Sequence, residues 1–88
     1  MMMAWRKEYG IELLDAIDCE PGRILSHYLR QFKKERTAFF RHEDLLDEGL
    51  IEAHEDPSGR RTLTLTDKGR KVLEHCRQIA AWYWEGSE

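Results

Sequence analysis

Apolar residues in this chain recur every three to four positions, then every second position, then every three to four again. Trp5, Tyr9, Leu13 and Ile17 fall four apart and Leu14 widens their stripe, which predicts a first helix from Trp5 to Ile17 with Gly10 as a weak point inside it. The stretch "DCEPG" breaks the pattern, because Pro21 disfavours helical backbone at Glu20 and Gly22 is a turn residue. Ile24, Leu25, Tyr28, Leu29 and Phe32 predict a second helix from Arg23 to Phe32. Charged "KKER" then leads to Thr37, the expected N-cap of a third helix. That helix should bury Ala38, Phe39, His42, Leu45 and Leu46 and end at Gly49, which suits the residue after a helix C-terminus.

Period two takes over at "LIEAHED", from Leu50. After the turn "PSGR" it returns in "RTLTLT", with Leu63 and Leu65 on one side and Thr62, Thr64 and Thr66 on the other, so the two runs predict a half-buried hairpin. Helical spacing resumes with Val72, Leu73, Cys76, Ile79 and Ala80, giving a fourth helix to about Trp84, capped by Thr66 or Asp67. Gly69 falls in its first turn, where the missing side chain allows a neighbouring backbone to approach. No repeat, low-complexity tract or linker divides residues 1–88, so the sequence predicts a single domain, mainly α with a small β hairpin.

Composition narrows the chemistry. With 88 residues, 41% of them hydrophobic and 35% charged, the chain can build a small core but no deep catalytic cleft. No apolar run approaches the ~18 residues of a membrane span, and "MMMAWRKEYG" lacks the apolar core of a signal peptide, so a cytoplasmic protein is expected. Cys19 and Cys76 are isolated and read as small hydrophobes rather than a disulfide or metal pair. His27, His42, His54 and His75 form no i, i+4 pair and have no cysteine at ligand spacing, and His42 on an apolar stripe reads as a packing residue. Ser26 and Ser58 lack a base with an orienting group, and no glycine-rich phosphate loop occurs. Neither a catalytic residue, a metal site nor a cofactor is expected.

The net charge of -3 is unevenly spread. Pro21–Arg41 carries six basic residues and one acid, His42–Asp56 seven acids and no Lys or Arg, and Pro57–Arg77 six basic residues and two acids. The fold decides whether the two basic blocks meet.

Three local motifs at matching spacing carry a resemblance over nearly the whole chain. "LLDEGLIEAHED" is similar to the passage from a recognition helix into a first wing strand, "DPSGRR" to a wing tip, and "LTLTDKGRKVLE" to the junction of a second wing strand with a last helix. The chain resembles the winged helix-turn-helix family, in particular small MarR-like and PadR-like bacterial regulators and their archaeal counterparts. The resemblance implies a helix-turn-helix over about residues 23–49, a wing over about 50–66 and a C-terminal helix over about 67–84. It also implies a DNA-binding transcriptional regulator that places its third helix in the major groove and its wing on the backbone or minor groove.

On that reading Phe40, Arg41, Glu43, Asp44, Asp47 and Glu48 should face outward. The expected DNA contacts are Lys33, Lys34 and Arg36 preceding the first turn, Thr37 at the helix entrance, Phe40 and Arg41 on the helix, and Arg60 and Arg61 in the wing. Aromatic "AAWYW" and the long last helix predict a homodimer through Trp5, Tyr9, Cys76, Ile79, Ala80 and Tyr83, matching a two-fold DNA site. The acidic second half of the third helix leaves an alternative, a winged-helix protein–protein module that does not bind DNA. The residues name neither an operator nor a small-molecule effector.

Overall fold

The structure, a computed structural model, describes the backbone of residues 3–86 and the side chains through Ile79. A short 3-10 turn at Ala4–Arg6 precedes α1 (Gly10–Cys19), α2 (Leu25–Leu29), α3 (Glu35–Asp47), β1 (Ile51–Glu55), β2 (Arg61–Leu65) and α4 (Asp67–Gly86). The strands pair antiparallel with Ala53 opposite Leu63 and Ile51 opposite Leu65. One core gathers Leu13, Leu14 and Ile17 of α1, Tyr28 of α2, Leu45 of α3, Leu50, Ile51 and Leu63 at the hairpin, and Leu73 of α4. The mainly helical fold with one hairpin follows the periodicity.

The helix boundaries depart from it in instructive places. The first helix begins at Gly10 rather than Trp5, and Tyr9 before it is left-handed at φ 67°. A methyl group on Gly10 would overlap the Ala4 carbonyl and the Trp5 backbone, so the chain folds back on itself there and glycine permits the contact. The second helix is shorter than Arg23–Phe32 at both ends. Ile24 is extended and bridges Thr62 of β2, and Gly22 N–H donates to the Leu63 carbonyl at 2.8 Å. Beyond Leu29 the bonds tighten to i→i−3, from Gln31 N–H to Tyr28 and Phe32 N–H to Leu29. The third helix starts at Glu35 after Lys34, with no side-chain cap, so Thr37 is its third residue and not its N-cap.

Expected terminations hold elsewhere. Gly49 at φ 72° ends α3, its N–H bonding Leu46 and the Leu50 N–H bonding Leu45, the paired pattern of a Schellman cap. Thr66 Oγ1 accepts from Gly69 N–H at 3.0 Å and donates to the Gly49 carbonyl at 2.6 Å, which caps α4 and ties it to the end of α3. Gly69 lies against Leu50, whose carbonyl oxygen any β-carbon at that position would overlap. Tyr28, fully buried, donates to the Glu20 carbonyl at 2.5 Å and accepts from Arg23 N–H at 3.0 Å, joining α2 to the turn beside β2. Among the described residues no helix is long and apolar enough to cross a membrane.

Candidate nucleic-acid interface

Helix α3 shows solvent one stripe of four residues. Arg36, Phe40, Glu43 and Asp47 are all exposed at i, i+4, i+7 and i+11, while Ala38, His42 and Leu45 turn into the core. The Arg36 guanidinium lies 5.9 Å from the centre of the Phe40 ring, and Phe40, half exposed, meets Phe39 edge-on at 5.8 Å. Phe39 in turn borders a cleft of about 330 Å³ walled by Ile24, Leu25, Leu29, Arg60 and Arg61. The wing arginines and Phe39 of α3 therefore line a single concavity, with Phe40 and Arg36 reached from it through the Phe39 ring. Lys33, just before α3, is exposed.

The wing tip is pre-shaped. Asp56 Oδ1 accepts from Ser58 N–H, the Ser58 hydroxyl and Arg60 N–H, at 3.0, 2.7 and 2.9 Å, and Gly59 supplies the left-handed residue at φ 84°. The Ser58 hydroxyl, then the Arg60 N–H, hold the Asp56 carboxyl below the usual carboxylate range. Arg60 folds over this turn, its Nε 2.9 Å from Ser58 Oγ and 3.3 Å from Asp56 Oδ2, yet stays solvent-exposed. The wing thus presents one guanidinium from a turn that needs no partner to form.

His42 joins wing to helix. Fully buried on α3, it sets Nε2 2.8 Å from an Arg61 terminal nitrogen, and Nδ1 against the Phe39 carbonyl. Arginine only donates and a carbonyl only accepts, so the ring is neutral with its proton on Nδ1. Burial, with Arg61 nearby, pushes the His42 pKa down. Its packing role was legible in the sequence; its role as the acceptor for Arg61 was not, since no spacing rule links residues on a helix and a strand. Arg61 thus stands at the cleft with one nitrogen already engaged.

Other expected contacts are placed differently. The Arg41 side chain is only 13% exposed, donating to the Glu8 carbonyl at 2.8 Å and to Asp44 Oδ2 at 2.6 Å. It does not face outward as a free base reader, because the N-terminal segment covers its side of the helix. Asp44 and Glu48 are half-buried with it, which leaves Glu43 and Asp47 as the carboxylates on the open stripe. Lys34 is exposed but turned to the Glu8 carboxylate at 3.3 Å, and Thr37 is half-buried.

Of the expected dimer residues, Ile79 is 51% exposed on α4. Cys76 is instead buried, and the Tyr9 ring packs, tilted by 50°, against Phe32 of its own chain at 4.7 Å, so neither offers a partner much surface. Trp5 is half-buried against the core, and the side chains of Ala80 and Tyr83 lie outside the described residues.

Three helices, a hairpin standing beside the third, and a last helix leaving the hairpin's base define the winged helix-turn-helix fold. Comparison with protein families finds no match, and comparison with curated proteins finds none. Solved structures do match. A possible HxlR family transcriptional factor from Thermoplasma volcanium GSS1 superposes over 96% of this chain and 78% of its own, with TM-score 0.76 and 17% identity. A PadR family transcription regulator from Clostridium difficile R20291 matches over 88% of this chain and 92% of its own, with TM-score 0.69 and 22% identity. The transcriptional repressor CouR, in a structure bound to a 23-mer DNA duplex, matches over 84% of this chain with TM-score 0.71 and 25% identity. This chain spans 54% of the CouR chain.

Proposed function

We propose that this protein is a cytoplasmic transcriptional regulator that binds double-stranded DNA, with no catalytic role. The observation that carries the reading is that Arg60 and Arg61 of the wing share a cleft with Phe39 of α3, the residue whose ring meets Phe40 and, through it, Arg36 on the exposed stripe of the same helix. Similarity to CouR, whose structure holds a DNA duplex, supports it. The exposed stripe of α3 enters the major groove, where Arg36 pairs with a guanine edge, Phe40 meets a thymine methyl and Glu43 accepts from a cytosine amino group. Arg60, displaced from Asp56 by a phosphate, and Arg61 engage the backbone beside it. The protein acts as a homodimer through the exposed face of α4 at Ile79, which presents two such surfaces to a two-fold site.

Anisotropy titration of a labelled duplex across a salt series tests this. Binding should weaken linearly in log–log form, and Arg60→Ala should reduce the slope by roughly 0.9. An absence of binding by the wild-type protein even at low salt would sink the reading, and the exposed carboxylates Glu43 and Asp47 would then mark a docking surface for a protein partner.

A further inference from the structure

Lys34, Arg41 and Glu48 lie seven residues apart along α3 and its two flanking residues, so they form one stripe along the side of the helix. All three are met by the same short segment, Ala4–Tyr9. At the C-terminal end, Glu48 Oε2 accepts from Ala4 N–H at 2.7 Å. At the middle, Arg41 Nε donates to the Glu8 carbonyl at 2.8 Å. At the N-terminal end, the Lys34 ammonium reaches the Glu8 carboxylate at 3.3 Å and the Lys34 N–H donates to the Tyr9 hydroxyl at 3.3 Å. Six residues reach both ends of a helix roughly 20 Å long because the Glu8, Tyr9 and Glu48 side chains close the gaps.

The segment is held firmly enough to transmit a position. Ala4 is fully buried, Gly10 packs directly on the Ala4 and Trp5 backbone, and Tyr9 sits in a left-handed conformation while its ring packs at a tilt against Phe32. A non-glycine residue held at positive φ persists only where its surroundings over-determine it, and such strain concentrates at functional sites. Arg41 is the central link, since its second bond, to Asp44 at 2.6 Å, fixes the guanidinium against the helix that it anchors.

We propose that the Ala4–Tyr9 segment sets the pose of the DNA-reading helix from behind, and that Arg41 is the positioning residue through which it does so. This rests on the DNA-binding reading above. Arg41 touches no base; it determines where Arg36, Phe40 and Glu43 stand relative to the wing.

The test uses the full chain and a duplex selected by the wild-type protein from a random pool, with every base pair of the site substituted in turn. Arg41→Met keeps the apolar stem and removes the donors. It should weaken binding to the selected duplex by about tenfold, shrink the penalties at all the base pairs read by α3 together, and leave the salt slope unchanged. Arg41→Lys, which retains one donor for the Glu8 carbonyl, should recover part of the affinity. Glu48→Gln, at the other end of the segment, should reproduce the same pattern more weakly, by about threefold, and the double variant should be less than additive because both release one segment. Loss of discrimination at a single base pair would make Arg41 a base reader, and a slope reduced by about 0.9 would make it a phosphate contact. Either result overturns the proposal, as does an unchanged profile in Arg41→Met. A wild-type protein that selects no duplex overturns the DNA-binding reading itself, and this proposal with it.

Discussion

His42 shows how one buried polar side chain constrains two elements. Neutral, it accepts from Arg61 and donates to the Phe39 carbonyl; protonated, it would point an N–H at a guanidinium. Its pKa in the fold is lowered from the ordinary value of 6.5, chiefly by burial, with Arg61 adding to the shift and Glu43 and the Phe39 carbonyl opposing it. As pH falls, the unfolded chain takes up this proton first. The stability that His42 contributes is therefore complete above pH 6.5 and declines as pH drops through that value toward the lower folded pKa. Urea unfolding at pH about 7.5 and about 5.5 should show a larger loss for the wild type than for His42→Gln, which keeps an acceptor but does not titrate. Equal losses in the two proteins would show that the ring is not held neutral.

At the scale of elements, the extent of each helix was legible where apolar spacing and local chemistry agree. The end of α3 is such a place: Leu45 and Leu46 close the stripe, and Gly49 adopts the positive φ that a Schellman cap requires. Strands β1 and β2 are equally clear, and of the two expected caps for α4, Thr66 and Asp67, Thr66 takes the role. The start of α1 is not legible. The four-residue spacing of Trp5, Tyr9, Leu13 and Ile17 runs straight through the left-handed turn at Tyr9, because Trp5 still reaches the core from a separate 3-10 turn. The burial of Arg41 is hidden from the sequence for a related reason, since a polar residue beside an apolar stripe looks solvent-facing until a segment from elsewhere covers it. The close approach at Gly69 is legible in the sequence, and it yields a sharp comparison. Gly69→Ala should destabilise the domain by about 2 kcal/mol or more, as the methyl must push Leu50 and the wing's base away from α4. Gly59→Ala, at φ 84° in open space, should cost about 1 kcal/mol through backbone strain alone. Thermal unfolding of both variants measures the difference; a milder effect at Gly69 than at Gly59 would contradict the close packing at this junction.

For the whole molecule, α4 makes the shape uneven. The chain measures 49 by 27 by 27 Å, and the helix is twenty residues long, roughly 30 Å. Arg77 pairs with Asp15 and with Asp18, the latter at 3.2 Å, so the first half of α4 is braced on α1 by charge as well as by Leu73 in the shared core. Ile79, just beyond, is exposed and is where the proposed dimer contact begins. Light scattering should give about twice the 10.5 kDa chain mass for the wild type at micromolar concentration. Ile79→Glu should return it to one chain mass without lowering the melting temperature by more than a few degrees, since a charge at an apolar interface is costly and the same charge in water is not. A wild type of single mass removes the dimer.

The base of the hairpin has a consequence for how such proteins diverge. Both strands enter and leave at one knot, where Thr66 bonds Gly49, Gly69 abuts Leu50, and Gly22 and Arg23 pair with Leu63. Its far end, from Asp56 to Arg60, forms its turn with its own side chains. Because doubling the length of a flexible loop adds only about 0.6 kcal/mol of closure entropy, residues inserted between Pro57 and Gly59 should leave the helices where they are. The length of the wing is thus free to drift by insertion and deletion at its tip, while the packing of the helices beneath it stays as it is.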